Sequence, residues 1–358
     1  MSLAVTVLKN SAVLLLFLLF ISCGTKNKEY ANNVFPYSQF PQEKELKGEV
    51  IELDTALFRY PFRIRIEGDK AIVLDLHGSD YYGHLFQYPS FRYLSSFGRR
   101  GDSPLEMLSM ENFRLHNHTL WTLDANKSEL TRLDFSSSGD SLLREETVAL
   151  DEDILRPLDF AIYNDTTFVI PDYSGESRFL KVDCKAKLIE KIGTIPTTNK
   201  KALQEARPAL AQAWRSFLDY NSHNSVLATV TQLGEVVEIY NLKDSTHVIR
   251  VGEYDEPEFK VSDGYGIPTG IMGFSDVQVT DDAIYAVFHG TSFKDIARQS
   301  GRLSDGGKYI YVFSLKGEPL CKYVLDHYIY GIWVDEVTKT IMATDVNNDQ
   351  PILKFSFG

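Results

Sequence analysis

Cysteine is scarce in this chain of 358 residues, which contains only Cys23, Cys184 and Cys321. No two of them form a CxxC pair, and this absence excludes a zinc ribbon or a thioredoxin-type redox site. Cys184 and Cys321 fall in different, non-neighbouring units of the repeat described below, so we expect no disulfide between them.

Positive charge is also in deficit. Lys and Arg number 37 against 49 Asp and Glu, which gives a formal net charge of −12. Binding to the phosphate backbone of a nucleic acid requires a basic surface, so we predict no nucleic-acid partner. The excess of negative charge helps to keep a folded protein soluble.

The sequence lacks the local motifs of several enzyme classes. It contains no GxSxG elbow, no Walker loop, no HExxH and no GxGxxG, and each of these motifs carries a specific chemistry. The eight histidines are scattered. The pair His116 and His118 lies where a turn is expected, which disfavours metal ligation. We therefore predict no cofactor and no metal site.

An apolar run of twelve residues occurs near the N-terminus. Lys9 precedes the apolar residues 11–22, and a positive residue followed by a short apolar core is typical of a secretory signal peptide. The run is short for a membrane-spanning helix. An uncleaved anchor that includes the apolar residues 3–8 is the alternative. We assign residues 1–22 to the signal peptide and predict export.

A cysteine stands directly after this run. Residues 19–23 read LFISC and resemble a bacterial lipobox, with a small residue just before Cys23. The resemblance implies acylation of Cys23, and several acyl chains give a firm membrane anchor. Gly24 is not the aspartate that retains enteric lipoproteins in the inner membrane, which favours the outer membrane and leaves the exposed side open. An ordinary free cysteine is the alternative.

Residues 23–45 differ from the rest of the chain. They are polar, contain Pro36 and Pro41 and show no hydrophobic periodicity, which predicts a flexible tether. Residues 46–358 are assigned to one folded body. The chain contains 19 Tyr and 22 Phe, residue types that favour strands.

Strand-like segments recur in this body in groups of four. The second segments of the groups end at Asp75, Asp124, Asp172, Thr231, His289 and Asp345. Their spacing of roughly 50–60 residues accommodates the ~40–50 residues that a four-stranded propeller blade needs, with room for insertions. The repeat therefore predicts six blades.

The last group contains only three strands, and residues 49–58 can supply the fourth. This pairing would close the ring and remove an open sheet edge. We predict an all-β fold, a six-bladed β-propeller closed by pairing of its N- and C-terminal strands, with small helical insertions such as residues 199–218. A tandem of immunoglobulin-type sandwiches is the competing all-β interpretation, but the middle of the chain contains no linker rich in Pro, Gly or Ser.

A motif between the first two groups carries a family resemblance. Residues 97–107 read FGRRGDSPLEM. Phe97, Gly98, Gly101, Pro104 and Glu106 match the turn that follows the first blade in TolB-like six-bladed propeller lipoproteins of Bacteroides-type bacteria. The chain is similar to that family over roughly residues 45–358. The resemblance implies the fold and export, and it implies no activity, because a fold does not determine a function.

The loop between the second and third strands of the first blade contains candidate ligand-binding residues. These are His77, Asp80, Tyr81, Tyr82 and His84. Aromatic side chains and histidine together suit the binding of a sugar or a peptide. A solvated loop that uses Gly, Ser and Asp for its turn is the alternative interpretation.

Equivalent positions in other blades provide four further candidates, which are Asp124, Asp172, Tyr173 and His289. Recurring carboxylates at the ends of second strands could surround the mouth of the channel. A repeated turn cap is the simpler interpretation, because aspartate commonly accepts hydrogen bonds from the backbone two or three residues ahead.

The predicted insertions fall in two classes of connection, the loops from second to third strands and the crossovers between blades. Both classes emerge on the same face of a propeller, and long loops in a compact domain are usually functional. We predict a binding module that contacts a protein, peptide or glycan through this face. A hydrolase or lyase acting on a polysaccharide or lactone at the channel mouth is the alternative.

Overall fold

The structure is a computed structural model that describes residues 32–54, 58–298 and 304–358. The predicted signal peptide, Cys23 and most of the predicted tether lie outside the described residues. In the ranges that are described, the helices are all too short or too polar to span a bilayer.

Three short strands precede the first blade, and six sheets follow. The three strands are β1 (Val34–Pro36), β2 (Gln42–Leu46) and β3 (Glu49–Ile51). Blade 1 contains β4 (Pro61–Glu67), β5 (Lys70–Asp75), β6 (Tyr81–Gln87) and β7 (Arg92–Arg99). Blade 2 contains β8 (Met110–His116), β9 (Thr119–Asp124), β10 (Glu129–Phe135) and β11 (Leu142–Ala149). Blade 3 contains β12 (Ala161–Asn164), β13 (Thr167–Pro171), β14 (Phe179–Asp183) and β15 (Leu188–Ile192).

The second half of the chain carries the helices and a hairpin between its blades. The helices α1 (Lys200–Glu205) and α2 (Arg207–Ala213) precede blade 4, which contains β16 (Ser216–Asn221), β17 (Val226–Thr231), β18 (Val236–Asn241) and β19 (Thr246–Val251). The hairpin β20 (Phe259–Ser262) and β21 (Tyr265–Pro268) leads to blade 5, which contains β22 (Phe274–Val279), β23 (Ala283–Phe288), α3 (Phe293–Arg298), β24 (Gly307–Ser314) and β25 (Pro319–Ile329). Blade 6 contains β26 (Ile332–Asp335), β27 (Thr340–Thr344) and β28 (Ile352–Ser356).

The ring closes as the sequence predicts. Strand β3 pairs antiparallel with β28, with Val50 opposite Leu353, and so becomes the fourth strand of blade 6. The prediction of six blades sealed by the two ends of the described chain is confirmed. Buried apolar side chains fill the space between neighbouring sheets, because each sheet is apolar on both of its faces.

The structure corrects the boundary of the predicted tether. Residues 34–36 and 42–46 are strands, since β1 runs parallel to β19 at the outer edge of blade 4 and β2 runs parallel to β25 at the edge of blade 5. An outer edge offers unpaired N–H and C=O groups to any extended segment. These strands have no hydrophobic period because most of their side chains are exposed, with Leu46 buried.

The connections divide the molecule into two faces of different character. The crossover face carries the loops between second and third strands and the connections between blades, including α1, α2, α3 and the β20–β21 hairpin. The turn face carries the remaining connections, which are short turns such as residues 68–69 and 242–245. The long insertions therefore lie on one face of the propeller.

Candidate functional site

Three long connections of the crossover face form a continuous layer over blades 3 to 5. We call this layer the crown and define it as residues 193–215, 252–273 and 289–298. The Glu256 carboxylate accepts a hydrogen bond from the Thr197 hydroxyl at 2.5 Å and another from the Thr198 N–H at 3.1 Å. The Gly266 N–H donates to Gln212 Oε1 at 2.9 Å. These contacts hold the first two segments of the crown together.

The β20–β21 hairpin is the part of the crown with the most defined local geometry. Asp263 and Gly264 form its two-residue turn with φ values of 50° and 83°, and two successive positive φ angles are typical of the type I′ turn, which favours Asp-Gly. A Cβ at Gly266 would lie 2.4 Å from the Ala209 carbonyl oxygen of α2. Only glycine allows this close approach of the hairpin to the helix.

The outward face of this hairpin combines two exposed apolar side chains with the polar residues Lys260 and Ser262, which lie opposite them in the strand pairing. Strand alternation places Tyr265 and Ile267 on the face opposite Gly266, and their side chains are 62% and 49% exposed. This hairpin is not among the elements predicted from the sequence. Its signal was the Asp263-Gly264 pair between two short strand-like segments.

Exposed apolar side chains are concentrated on the crossover face. In the described part of the chain, fourteen large apolar residues are exposed, and eight of them lie on or beside the loops of this face. The eight are Tyr81, Leu105, Leu108, Leu155, Tyr254, Val261, Tyr265 and Ile267. Five of the others lie on outer strands, and Val337 lies in a turn of the opposite face. Exposed apolar surface marks a contact site where it is contiguous, and on this face Tyr265 and Ile267 lie two residues apart on the same side of one strand.

Four aromatic side chains pack together at the crossover end of the channel. The aromatic plug consists of Tyr60, Phe62, Phe217 and Tyr330. The ring centroid of Phe62 lies 4.8 Å from that of Tyr330 and 5.9 Å from that of Phe217. His289 packs edge-on against Tyr330 at 5.6 Å. Burial lowers the pKa of His289 to about 4, so its imidazole is neutral at pH 7 and belongs to this packed group.

The structure separates the candidate residues of the first-blade loop. His77, Asp80 and Tyr81 are exposed, and the His77 ring packs edge-on against Tyr60 at 5.0 Å. Tyr82 is buried and donates a hydrogen bond from its hydroxyl to the Leu108 carbonyl oxygen at 2.5 Å.

His84 is also buried, in the third strand of blade 1. Its Nδ1 lies 2.8 Å from the Ser96 hydroxyl, and burial lowers the pKa of its imidazole. The loop therefore presents only part of the predicted group to solvent.

The recurring aspartates are caps of the backbone. Asp124 is buried and accepts four backbone N–H bonds, two from the incoming crossover and two from its own loop. The donors are Leu108 at 2.7 Å, Ser109 at 3.2 Å, Asn126 at 3.1 Å and Lys127 at 3.0 Å. Asp172 likewise accepts the N–H groups of Ser174 and Ser177, each at 2.8 Å. The half-buried Tyr173 lies beside Asp172, with the Arg215 guanidinium 5.8 Å from its ring centroid.

Asp124→Ala is therefore expected to lower the free energy of unfolding by about 1–3 kcal/mol, because it leaves buried N–H donors without an acceptor. Urea denaturation of purified protein measures the change. The exposed Asp349 provides the matched control, since Asp349→Ala removes a carboxylate that faces solvent. Equal stability of the two variants would contradict the capping role.

Comparison with known proteins agrees with this architecture. A sequence model of the TolB-like 6-blade propeller-like family matches residues 39–337. The chain belongs to this family. A search of curated proteins finds no match.

Solved structures with the same fold resemble this TolB-like chain at low sequence identity. An exported protein of Bacteroides fragilis aligns with a TM-score of 0.55 and 12% identity, over 90% of this chain and 98% of the other. A DUF4221 family member from Bacteroides vulgatus aligns with a TM-score of 0.54 and 10% identity, over 88% of this chain and 96% of the other. An auxiliary nutrient binding protein of Bacteroides ovatus aligns with a TM-score of 0.52 and 10% identity, over 84% of this chain and 70% of the other. At these identities the comparison establishes the fold.

Below the aromatic plug, the channel of this TolB-like propeller contains a layer of buried charge. Arg63 and Arg65 of blade 1 both form ion pairs with Asp276 of blade 5. Arg114 of blade 2 pairs with Asp159, which directly precedes blade 3, at 2.6 Å. None of these five residues is among the candidates predicted from the sequence.

The same charges connect the inner strands of different blades. Arg65 Nη1 donates to the Ile332 carbonyl oxygen of blade 6 at 2.7 Å, and Arg114 Nη2 donates to the Leu218 carbonyl oxygen of blade 4 at 2.7 Å. Inner strands of adjacent blades belong to separate sheets and share no ladder, so side chains provide the hydrogen bonds between them.

Proposed function

We propose that this chain is an exported, lipid-anchored binding module that holds a protein partner through its crossover face. The observation that carries the proposal is the exposed apolar pair Tyr265 and Ile267 on the outward face of the crown hairpin. Export and the anchor rest on the N-terminal sequence and on Cys23. The description of a structural relative as an exported protein is consistent with an envelope location.

A protein is the partner class that best fits this surface. Aromatic and large aliphatic side chains dominate the energetics of protein interfaces when they enter a pocket of the partner. The Asp263-Gly264 turn and the contact of Gly266 with α2 fix the hairpin before binding. A fixed hairpin reduces the entropy that is lost on association.

The path of the N-terminal segment supports this assignment of faces. The Asn33 carbonyl accepts from Ile249 N–H at 2.9 Å, and Asn33 Nδ2 lies 3.2 Å from His247 Nδ1 near the start of β19. Because β1 runs parallel to β19, the chain enters the propeller from the turn-face side. The first described residues therefore do not cover the crossover face.

The alternative of a hydrolase or lyase at the crossover end of the channel receives less support. The carboxylates of Asp124 and Asp172 are occupied by backbone N–H groups. The packed rings of the aromatic plug lie at this end of the channel, so a saccharide that enters here would meet them before the interior.

Site-specific photo-crosslinking in cells of the source organism tests the proposal. A photo-reactive residue at Ile267 is expected to give a discrete crosslinked species, because the partner covers the hairpin. The same residue at Val337, which is 93% exposed on the turn face, is the matched control and should give none.

A substitution at Tyr265 tests whether the crosslink depends on the apolar side chains of the hairpin. With the probe at Ile267, the change Tyr265→Ser is expected to reduce the crosslinked species about tenfold, since loss of an interface aromatic costs 1 kcal/mol or more. Equal yields at Ile267 and Val337, or a yield insensitive to Tyr265→Ser, would refute the crossover face as the binding surface.

A further inference from the structure

The turn face contains a cavity at the end of the channel opposite the aromatic plug. It has a volume of about 520 Å³ and lies between blades 4, 5 and 6, where the inner strands β16, β22 and β26 end. A second cavity of about 200 Å³ continues inward from it, and both are lined by Gln278, Val279 and Trp333. Together they have the size of a small-molecule binding site.

The inner cavity is lined by polar groups that the described part of the protein leaves without partners. Arg114 is only 6% exposed, and its Nε has no hydrogen-bond acceptor among the described residues. Glu67 Oε2 is buried and likewise has no donor in those residues. Buried polar atoms of this kind are costly unless a solvent molecule or a ligand satisfies them.

Asp219 adds a carboxylate to the same cavity. Its Oδ2 accepts the Val279 N–H at 2.8 Å. Within the described ranges it forms no ion pair, in contrast to Asp159 and Asp276. Burial raises the pKa of Asp219, and the guanidinium groups of Arg114 and Arg65 offset this rise only in part.

The mixture of charges indicates which ligands the cavity would accept. A cation would meet Arg65 and Arg114, and an anion would meet Glu67, Asp219 and the carboxylates of the outer cavity, which include Asp281. An apolar molecule would leave the buried donors and acceptors unsatisfied. A neutral molecule whose groups both donate and accept hydrogen bonds avoids all three penalties, and hydroxyl groups do both.

Two aromatic residues line the outer cavity. Trp333 belongs to both cavities and is half-buried, and Tyr220 lines the outer one. Aromatic rings provide an apolar surface beside polar groups, which suits the C–H face of a sugar ring. We infer that this turn-face cavity is a carbohydrate site that binds a neutral saccharide, with one ring among Arg114, Glu67 and Asp219 and with Trp333 beside it. The site is separate from the crossover face and does not depend on the function proposed for it.

Binding of defined sugars to the soluble protein tests this inference. The probes are glucose, galactose, mannose, maltose and cellobiose, with glucosamine and glucuronate as charged analogues, measured by saturation-transfer NMR and calorimetry. We expect at least one neutral sugar to bind at millimolar or lower concentration and its charged analogue to bind about tenfold more weakly. No binding by any neutral sugar, or a preference for a charged analogue, would overturn the inference.

Two variants locate the binding in the cavity. Asp219→Asn keeps an oxygen that can accept the Val279 N–H and removes the charged acceptor, so the affinity for the neutral sugar should fall about tenfold. Asp165→Asn, an exposed acid of the turn face outside both cavities, should leave the affinity unchanged. Trp333→Phe should also weaken binding of the neutral sugar. It replaces Asp219→Asn as the test variant if Asp219→Asn unfolds the protein. Wild-type affinity in both cavity variants would overturn the site.

Discussion

Asp276→Asn is expected to lower the free energy of unfolding by about 3–5 kcal/mol, the usual cost of removing one partner from a buried ion pair. Asp276 is the shared counter-ion of Arg63 and Arg65, and all three side chains are buried. Burial lowers the pKa of the Arg63 guanidinium to about 10, so both arginines remain charged at pH 7. The variant would therefore remove the ion-pair partner of two buried positive charges.

The pH dependence of stability provides an independent check on this network. Burial alone would raise the pKa of Asp276, but Arg63 and Arg65 outweigh it and lower the pKa in the folded state. A carboxylate with a lowered pKa contributes stability above its unfolded pKa of about 3.9 and loses it as the pH falls through its folded pKa. The difference between wild type and Asp276→Asn should therefore be largest near neutral pH and narrow in acid.

Replacement of the whole network distinguishes a charge effect from a packing effect. A triple variant with Arg63→Met, Arg65→Met and Asp276→Leu should be more stable than Asp276→Asn alone, because no buried charge is left unpaired. Urea denaturation at several pH values measures all three proteins. A loss below about 1 kcal/mol for Asp276→Asn would contradict the role of this ion pair.

The blades could be predicted from the sequence because each blade repeats the same short-range features at its strand ends. Asp75 and Asp124 end a second strand and Asp172 directly follows one, and all three cap the following loop, so the same residue type recurs at the same structural point. A cap acts over a few residues and can be found without knowledge of the fold. Residues 49–58 were assigned to the last blade by counting its strands, and β3 occupies that place.

The charge layer of the channel could not be predicted in this way. The segment Pro61–Glu67 alternates between apolar and basic residues, which ordinarily indicates one buried and one solvated face. In an inner strand of a propeller, the side chains on both sides of the strand are enclosed by the rest of the protein. Asp276 is more than 200 residues away in sequence and lies on a blade that is not adjacent to blade 1, so nothing local indicates the pairing.

The outer strands illustrate a third case, in which the sequence is informative only after the fold is known. Residues 34–36 and 42–46 carry too few buried side chains to show a strand period. They are strands because blades 4 and 5 provide edges for them. Tyr37 and Phe40 then pack against Phe313 of β24, with ring centroids at 5.4 and 5.5 Å. Tertiary context decides the conformation of such segments.

A chain that begins at Asp54 is expected not to fold stably, because it lacks β1, β2 and β3. It would lose the buried side chains of Leu46 and Leu53 and the packing of Tyr37 and Phe40. At about 1.5–3 kcal/mol for each of these four side chains, the loss of about 6–12 kcal/mol is comparable to the total stability of a typical domain. Aggregation is also expected, since the edge of β28 becomes available to other chains.

Two longer chains distinguish the contribution of ring closure to stability from the contribution of the packing of β1 and β2. A chain that begins at Asn33 keeps all three strands and serves as the reference. A chain that begins at Lys47 keeps β3 and Leu53, including the hydrogen bond from Leu53 N–H to Gln350 Oε1 at 2.8 Å. We expect thermal stability to decrease in the order Asn33, Lys47, Asp54, with soluble protein from the first two. If the chains beginning at Lys47 and Asp54 unfolded at the same temperature, β3 would contribute nothing to closure, because the sixth blade would then be equally stable with three strands as with four.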